Sequence, residues 1–180
     1  EFYGNPFNGK IQDCHDCDHQ AEQKTKFSQV KFLETVKNMQ LAIQKGEDLY
    51  NNNLLLGNAF YNITHFGNGR TFYQSNLINV DDAFYKPFIY GIDMARGYYQ
   101  KAFEAATNDE QRAKCSYLLA KCERNDYYNS GYQYSYWGEN TQPDFLAWDG
   151  FATLKTNYSH TKYYQDVIEE CGYFKTYVEK

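Results

Sequence analysis

No run of apolar residues in this chain of 180 is long enough to cross a bilayer as a helix, which excludes a membrane-spanning segment. Blocks of like charge are missing as well: 18 basic and 23 acidic side chains are interspersed, for a net charge of -5. Without a clustered Lys/Arg surface to neutralise phosphates, a nucleic-acid role is disfavoured. Cysteine is scarce and odd in number, and five thiols are too few to scaffold a chain of this length. The chain opens on Glu1-Phe2-Tyr3, with neither an initiator Met nor a signal-peptide pattern, and we expect a mature or excised C-terminal segment of a longer polypeptide. Aliphatic side chains are few for a fully buried core. In their place stand 19 Tyr, 13 Phe and 2 Trp. Tyr joins an apolar ring to a hydroxyl that needs water or a partner, so many of these rings are expected at helix interfaces and at the surface.

The apolar positions that are present repeat with a helical period. Phe88, Ile92, Ala95, Tyr99, Ala102 and Ala106 fall on one face of a helix expected from about Pro87 to Ala106, with proline tolerated in the first turn. Phe27, Val30, Leu33, Val36 and Ile43 mark an earlier helix that stops near Gly46. Asp48 starts a second, lined by Leu55, Leu56, Ala59, Phe60, Ile63 and Phe66, and Gly67-Asn68-Gly69 breaks it before a short helix through Phe72 and Tyr73. Thr107 to Glu110 supply a turn and a cap for a helix in which Cys115, Leu119 and Cys122 share a face. Two last helices are expected, from Leu146 to Tyr158 and from Thr161 to Val178, the second turning Tyr164, Val167, Ile168, Cys171, Phe174 and Val178 inward. Residues 1–24 have no such period and read as an extended arm; residues 25–180 read as a helical domain with a Tyr-rich insertion at 126–143. The expectation is an all-α fold of about seven helices in antiparallel pairs.

Leu56, Gly57, Phe60, Gly69 and Tyr73 resemble the Leu-Gly-Tyr, small-residue and aromatic positions of a tetratricopeptide repeat, and Ala95, Tyr99 and Ala102 resemble the second-helix part of another. The usual early Trp and closing Pro are missing, and positions 69 and 95 are not one standard repeat apart. Asp13-Cys14-His15-Asp16-Cys17-Asp18, Asn58 to Thr64 and the tail from Glu170 to Phe174 together are similar to uncharacterised exported or cell-surface Bacteroidota proteins in which a helical repeat-like segment ends the polypeptide. The resemblance implies a short tetratricopeptide-like solenoid and an extracytoplasmic or outer-membrane-associated address.

The sharpest local chemistry is the run from Asp13 to His19. Cys14, Cys17 and His19, with His15 or a distant residue as fourth ligand, bring soft sulfur and imidazole donors within reach of one ion, and zinc is the metal that set suits. A structural clip is favoured over a catalytic site, the neighbouring Asp residues orienting the imidazoles. The same cysteines also allow a disulfide to a helix Cys, or plain thiols. Covalent haem attachment is disfavoured because Asp18, not His, follows Cys17. Cys115 and Cys122, about 10 Å apart along a helix, are too far apart to bridge each other.

Tyr127, Tyr128, Tyr132, Tyr134, Tyr136 and Trp137 form the second candidate site, stiff rings suited to a protein, peptide or glycan partner unless they fold back onto the scaffold. His65 and His160 lack triad partners, and the adjacent carboxylates Asp81-Asp82, Asp109-Glu110 and Glu169-Glu170 read as caps or solvated faces. The functional expectation is a non-enzymatic interaction or scaffold module of a larger cell-surface protein. The alternatives are a metal-dependent hydrolase or sensor using Cys14, Cys17 and His19, or a structural spacer.

Overall fold

Ser28 begins the first helix by placing its hydroxyl oxygen 3.2 Å from the Lys31 N–H, the bond that satisfies an orphan donor of a first turn. In the computed structural model of this protein the described residues are 1–2, 4–11, 26–72, 84–131 and 148–180, with side chains described at all of these except 71 and 128–131. All regular structure among them is helical, and they contain no strand. They form two compact units, Glu1–Ala105 and Ala106–Lys180.

In the first unit, α1 spans Gln29–Gln44 and α2 spans Leu49–Asn62. Gly46, at φ +77°, makes the left-handed turn that releases the chain from α1, where a side chain would be strained. Asp48 precedes α2 as expected, but its carboxylate accepts from the Asn51 side chain, at 2.9 and 3.0 Å, and not from a backbone N–H. The inner stripe of α1 differs from the expected one. Phe32 and Val36 are buried, while Val30 and Leu33 are 66% and 53% exposed. The rings of Phe2, Phe7 and Phe72 gather around Phe32 at 5.3–5.5 Å, and that aromatic cluster decides which way α1 faces.

A short α3, Lys86–Tyr90, carries Pro87 in its first turn, and α4 follows at Asp93–Ala105. The single long helix expected from Pro87 is thus broken at Gly91, which is extended at φ -69° and ψ 130°. Ile92, Ala95, Tyr99 and Ala102 are buried on the expected face, but Phe88, on the far side of the break, is 72% exposed. The main packing of this unit is α2 on α4. Gly57 lets the Tyr99 ring lie against the α2 backbone, and the Tyr99 hydroxyl donates to Asn58 Oδ1 at 3.0 Å.

In the second unit, Asn108 Oδ1 accepts from the Gln111 N–H at 3.0 Å and Gln111 Oε1 accepts from the Thr107 N–H at 2.8 Å, a reciprocal cap that opens α5, Asp109–Gly131. The helix runs past residue 126, where composition marks a break. α6 is Asp149–Tyr158, α7 is Lys162–Glu170 and α8 is Gly172–Glu179, the last two divided at Cys171 where one helix was expected. Gly150 brings the α6 backbone onto Ala120 of α5. Phe151 and Phe174, with centroids 5.0 Å apart, centre a core that Tyr117 and Tyr164 complete. Glu110, on α5, accepts from the Lys162 and Tyr163 N–H groups at 2.7 and 3.0 Å, so it caps the start of α7 and not of its own helix.

Candidate binding groove

The break at Gly91 lies beside a concavity formed by described residues. α2 ends in Phe60 to Asn62, and Thr64 closes the turn beyond it by donating its hydroxyl to the Tyr61 carbonyl at 2.7 Å. The His65 N–H then donates to the Ile89 carbonyl at 2.8 Å, tying that turn to α3, and the His65 ring lies 4.8 Å from Tyr90. Between these anchored segments and the first turn of α4 lies a groove of about 600 Å³. Its floor is Phe60, Ile63 and the buried Ile89; its rim includes Phe84, Phe88 and Met94, which are 69%, 72% and 56% exposed.

The lining is apolar with one charge. Asp93 sits at the rim and is paired with Arg96 at 2.9 Å. The Thr64 hydroxyl is already committed to a carbonyl. With Phe60, Ile63, Phe84, Phe88 and Met94 around it, the groove suits burial of apolar side chains. Burying a Phe or Met side chain contributes about 1.5–3 kcal/mol, so engaging Phe84, Phe88 and Met94 would amount to several kcal/mol before ordering costs.

The sequence did not single out this groove. The apolar period puts Phe88 on the inner face of a continuous helix, and nothing in it reveals that Phe88, beyond the break at Gly91, is exposed.

The zinc expectation is corrected. Among the described residues there is no group of three or more His, Cys, Asp or Glu side chains that could hold a metal ion. Cys14, His15, Cys17 and His19 lie outside the described residues, and no metal-binding cluster in the described part stands ready to complete a site with them. Cys115, Cys122 and Cys171 are buried thiols, small core residues rather than ligands. In the proposed aromatic set, Tyr127 is half-buried on α5, Tyr128 lies on the same helix, and Tyr132, Tyr134, Tyr136 and Trp137 lie outside the described residues. His65 is held in the turn described above, and His160 Nε2 lies 3.0 Å from Asp109 Oδ2, an exposed pair at the surface of the second unit.

Among the described residues, one titratable group is strongly perturbed. Burial of Lys121 pushes its ammonium down to about 8, opposed by the thiols of Cys122 and Cys171. At 5% exposure this amine is shielded from any substrate in solution. No helix among the described residues is long and apolar enough to cross a membrane. Compared with protein-family models, curated proteins and solved structures, the chain finds a match in none of the three.

Proposed function

We propose that this chain is a non-enzymatic recognition module of a larger cell-surface protein, its helix pairs arranged as a short tetratricopeptide-like solenoid, and that the groove beside α3 is its binding site. The ligand is an apolar segment of a protein partner. The observation that carries this reading is the exposure of Phe84, Phe88 and Met94 around a groove floored by the half-buried Phe60 and Ile63 and the buried Ile89. Single exposed hydrophobic residues need no explanation, but three bordering one concavity are a feature of interaction sites. The packing of Gly57 against Tyr99 supports the tetratricopeptide-like element of the proposal, since a small residue facing an aromatic is how such helices approach.

The test is selection of peptides from a displayed library on the immobilised chain, with a counter-screen against Phe88→Asp/Met94→Asp. Both side chains are more than half exposed, so the double variant should retain its helical circular dichroism and melting temperature. Selected peptides should carry aromatic or branched apolar anchors and lose at least tenfold in affinity for the variant. Equal binding to both proteins would show that the groove is not the site.

A further inference from the structure

We propose that the face of α2 bearing Asn58 and Asn62 is a receptor for an extended peptide, filled by the chain's own residues 1–11, and that the same segment of a second copy can take that place. The observation is a set of side-chain amides reading a main chain. Asn58 Nδ2 donates to the Phe7 carbonyl at 2.9 Å, and Asn62 Nδ2 donates to the carbonyls of Pro6 and Asn8 at 2.9 and 2.7 Å. Asn68 Nδ2 adds a bond to the Asn5 carbonyl at 3.3 Å. Asn58 is fixed from behind, its Oδ1 accepting from the Tyr99 hydroxyl at 3.0 Å, so the donor is aimed before the segment arrives.

The bound segment has matching features. Its own turn is stabilised by the Phe7 N–H on Asn5 Oδ1 at 2.9 Å and by the Asn8 N–H on the Asn5 carbonyl at 3.2 Å, which presents successive carbonyls to α2. Phe2 and Phe7 enter the aromatic cluster around Phe32, and Phe7 also meets Phe27 at 5.2 Å. A Cβ on Gly9 would lie 2.7 Å from Asn58 Oδ1, so glycine is the residue that can pass this point without displacing the fixed amide. Two aromatic anchors, a turn at Pro6 and a glycine passage make a recognisable ligand. Asn58 and Asn62 are 3% and 7% exposed with the segment in place, so the backbone that covers these amides is also the backbone that satisfies them.

None of these bonds depends on the covalent path from residue 11 to residue 26. That path of 14 residues has a contour of up to about 50 Å, long enough for the segment to reach a neighbouring molecule. A second copy carries the same ligand by definition, so what fits within one chain fits between two.

The experiment uses the full chain with a specific protease site placed between residues 11 and 26. After cleavage, a fluorescein-labelled peptide of residues 1–11 is added and its anisotropy followed. Saturable uptake is expected, weakened at least tenfold in peptides carrying Phe7→Ala or Gly9→Val and in a cleaved chain carrying Asn62→Leu. In parallel, two differently tagged intact copies, mixed at high concentration, warmed and cooled, should give a mixed dimer that Phe7→Ala abolishes. The receptor is overturned if the cleaved chain keeps its helices but takes up no peptide, if uptake ignores these substitutions, or if cleavage alone unfolds the first unit. Peptide uptake without any mixed dimer would overturn the second copy as the occupant.

Discussion

Replacing Gly57 with Ala sets helix propensity directly against packing. Gly57 lies inside α2, where exchange to Ala would stabilise an unobstructed helix by about 1 kcal/mol. A Cβ there would lie 2.4 Å from both Cδ1 and Cε1 of Tyr99, whereas carbon atoms rest about 3.5–4.0 Å apart, so the ring must move by more than 1 Å. Tyr99 is 1% exposed and its hydroxyl is bonded to Asn58, so it has little room to yield. Overpacking of this kind costs about 1–3 kcal/mol, and losing the Tyr99 bond leaves a buried amide oxygen unpaired for about 1–3 kcal/mol more. The net expectation is destabilisation by about 1–5 kcal/mol, read as a lower urea midpoint with an unchanged slope in circular dichroism. Gly97→Ala is the internal control. It lies in α4 with nothing within 4 Å of the added atom, and should stabilise by up to about 1 kcal/mol. If Gly57→Ala stabilised the protein as Gly97→Ala does, the close approach of α2 to Tyr99 would be refuted.

Gly150→Ala should destabilise by about 3 kcal/mol in the same assay, because the new atom meets Ala120 Cβ at 2.5 Å and its backbone nitrogen at 2.7 Å, and backbone cannot rotate away. Removing the Glu110 carboxylate with Glu110→Ala should destabilise α7 by about 1 kcal/mol, visible as a lower melting temperature, since two N–H groups of its first turn lose their acceptor. Lys121 makes stability depend on pH in the alkaline range. Its folded value of about 8 lies below the unfolded 10.5, so the unfolded chain holds more protons between them and stability rises across that interval by up to about 3 kcal/mol. Lys121→Met should flatten this rise. Burial raises Tyr158 and Tyr164, so the unfolded chain releases their protons first and stability should fall again once the pH passes 10. A urea series from pH 7 to 11 reads both limbs.

The parts of the fold legible in the sequence are those decided within one helix. Ile92, Ala95, Tyr99 and Ala102 were identified by spacing alone, as were Tyr164, Val167, Cys171 and Phe174, and all eight are buried. The positions of Gly46 and Asn108 at helix ends follow from local backbone chemistry. What was not legible depends on residues far apart in the chain. Apolar residues at 30, 32, 33 and 36 allow two different inner stripes for α1, and the choice falls to Phe2, Phe7 and Phe72, which no local window contains. The divisions at Gly91 and Cys171 leave the apolar period nearly intact, so periodicity could not show them, and with the first of them the groove was missed.

The asparagines of α2 show the same limit from the polar side. The sequence offers a stripe of Leu55, Leu56, Ala59, Phe60, Ile63 and Phe66 to seat the helix, and assigns no role in packing to Asn53, Asn58 or Asn62. Instead α2 is the central helix of its unit, with eight of its residues buried, those asparagines among them. A helix can be enclosed with polar side chains only if each meets a partner, because an unpaired buried amide costs about as much as a buried methyl group contributes several times over. Here the partners are the Leu49 carbonyl for the Asn53 Nδ2 group, whose Oδ1 has none, the Tyr99 hydroxyl for Asn58, and the main chain of residues 6 to 8 for Asn58 and Asn62. It follows that α2 and residues 1–11 stabilise one another. Substituting Asn62 by Leu should release the segment while leaving α2 helical, whereas substituting Phe7 by Ala should expose Asn58 and Asn62 to water together. The two variants should therefore show the same accelerated amide exchange at Phe7 and Asn8, with α2 losing more protection in Phe7→Ala than in Asn62→Leu, where no amide is left at position 62 to lose its partner. Equal loss in both elements from either substitution would mean that segment and helix form a single cooperative core and not a ligand on its receptor.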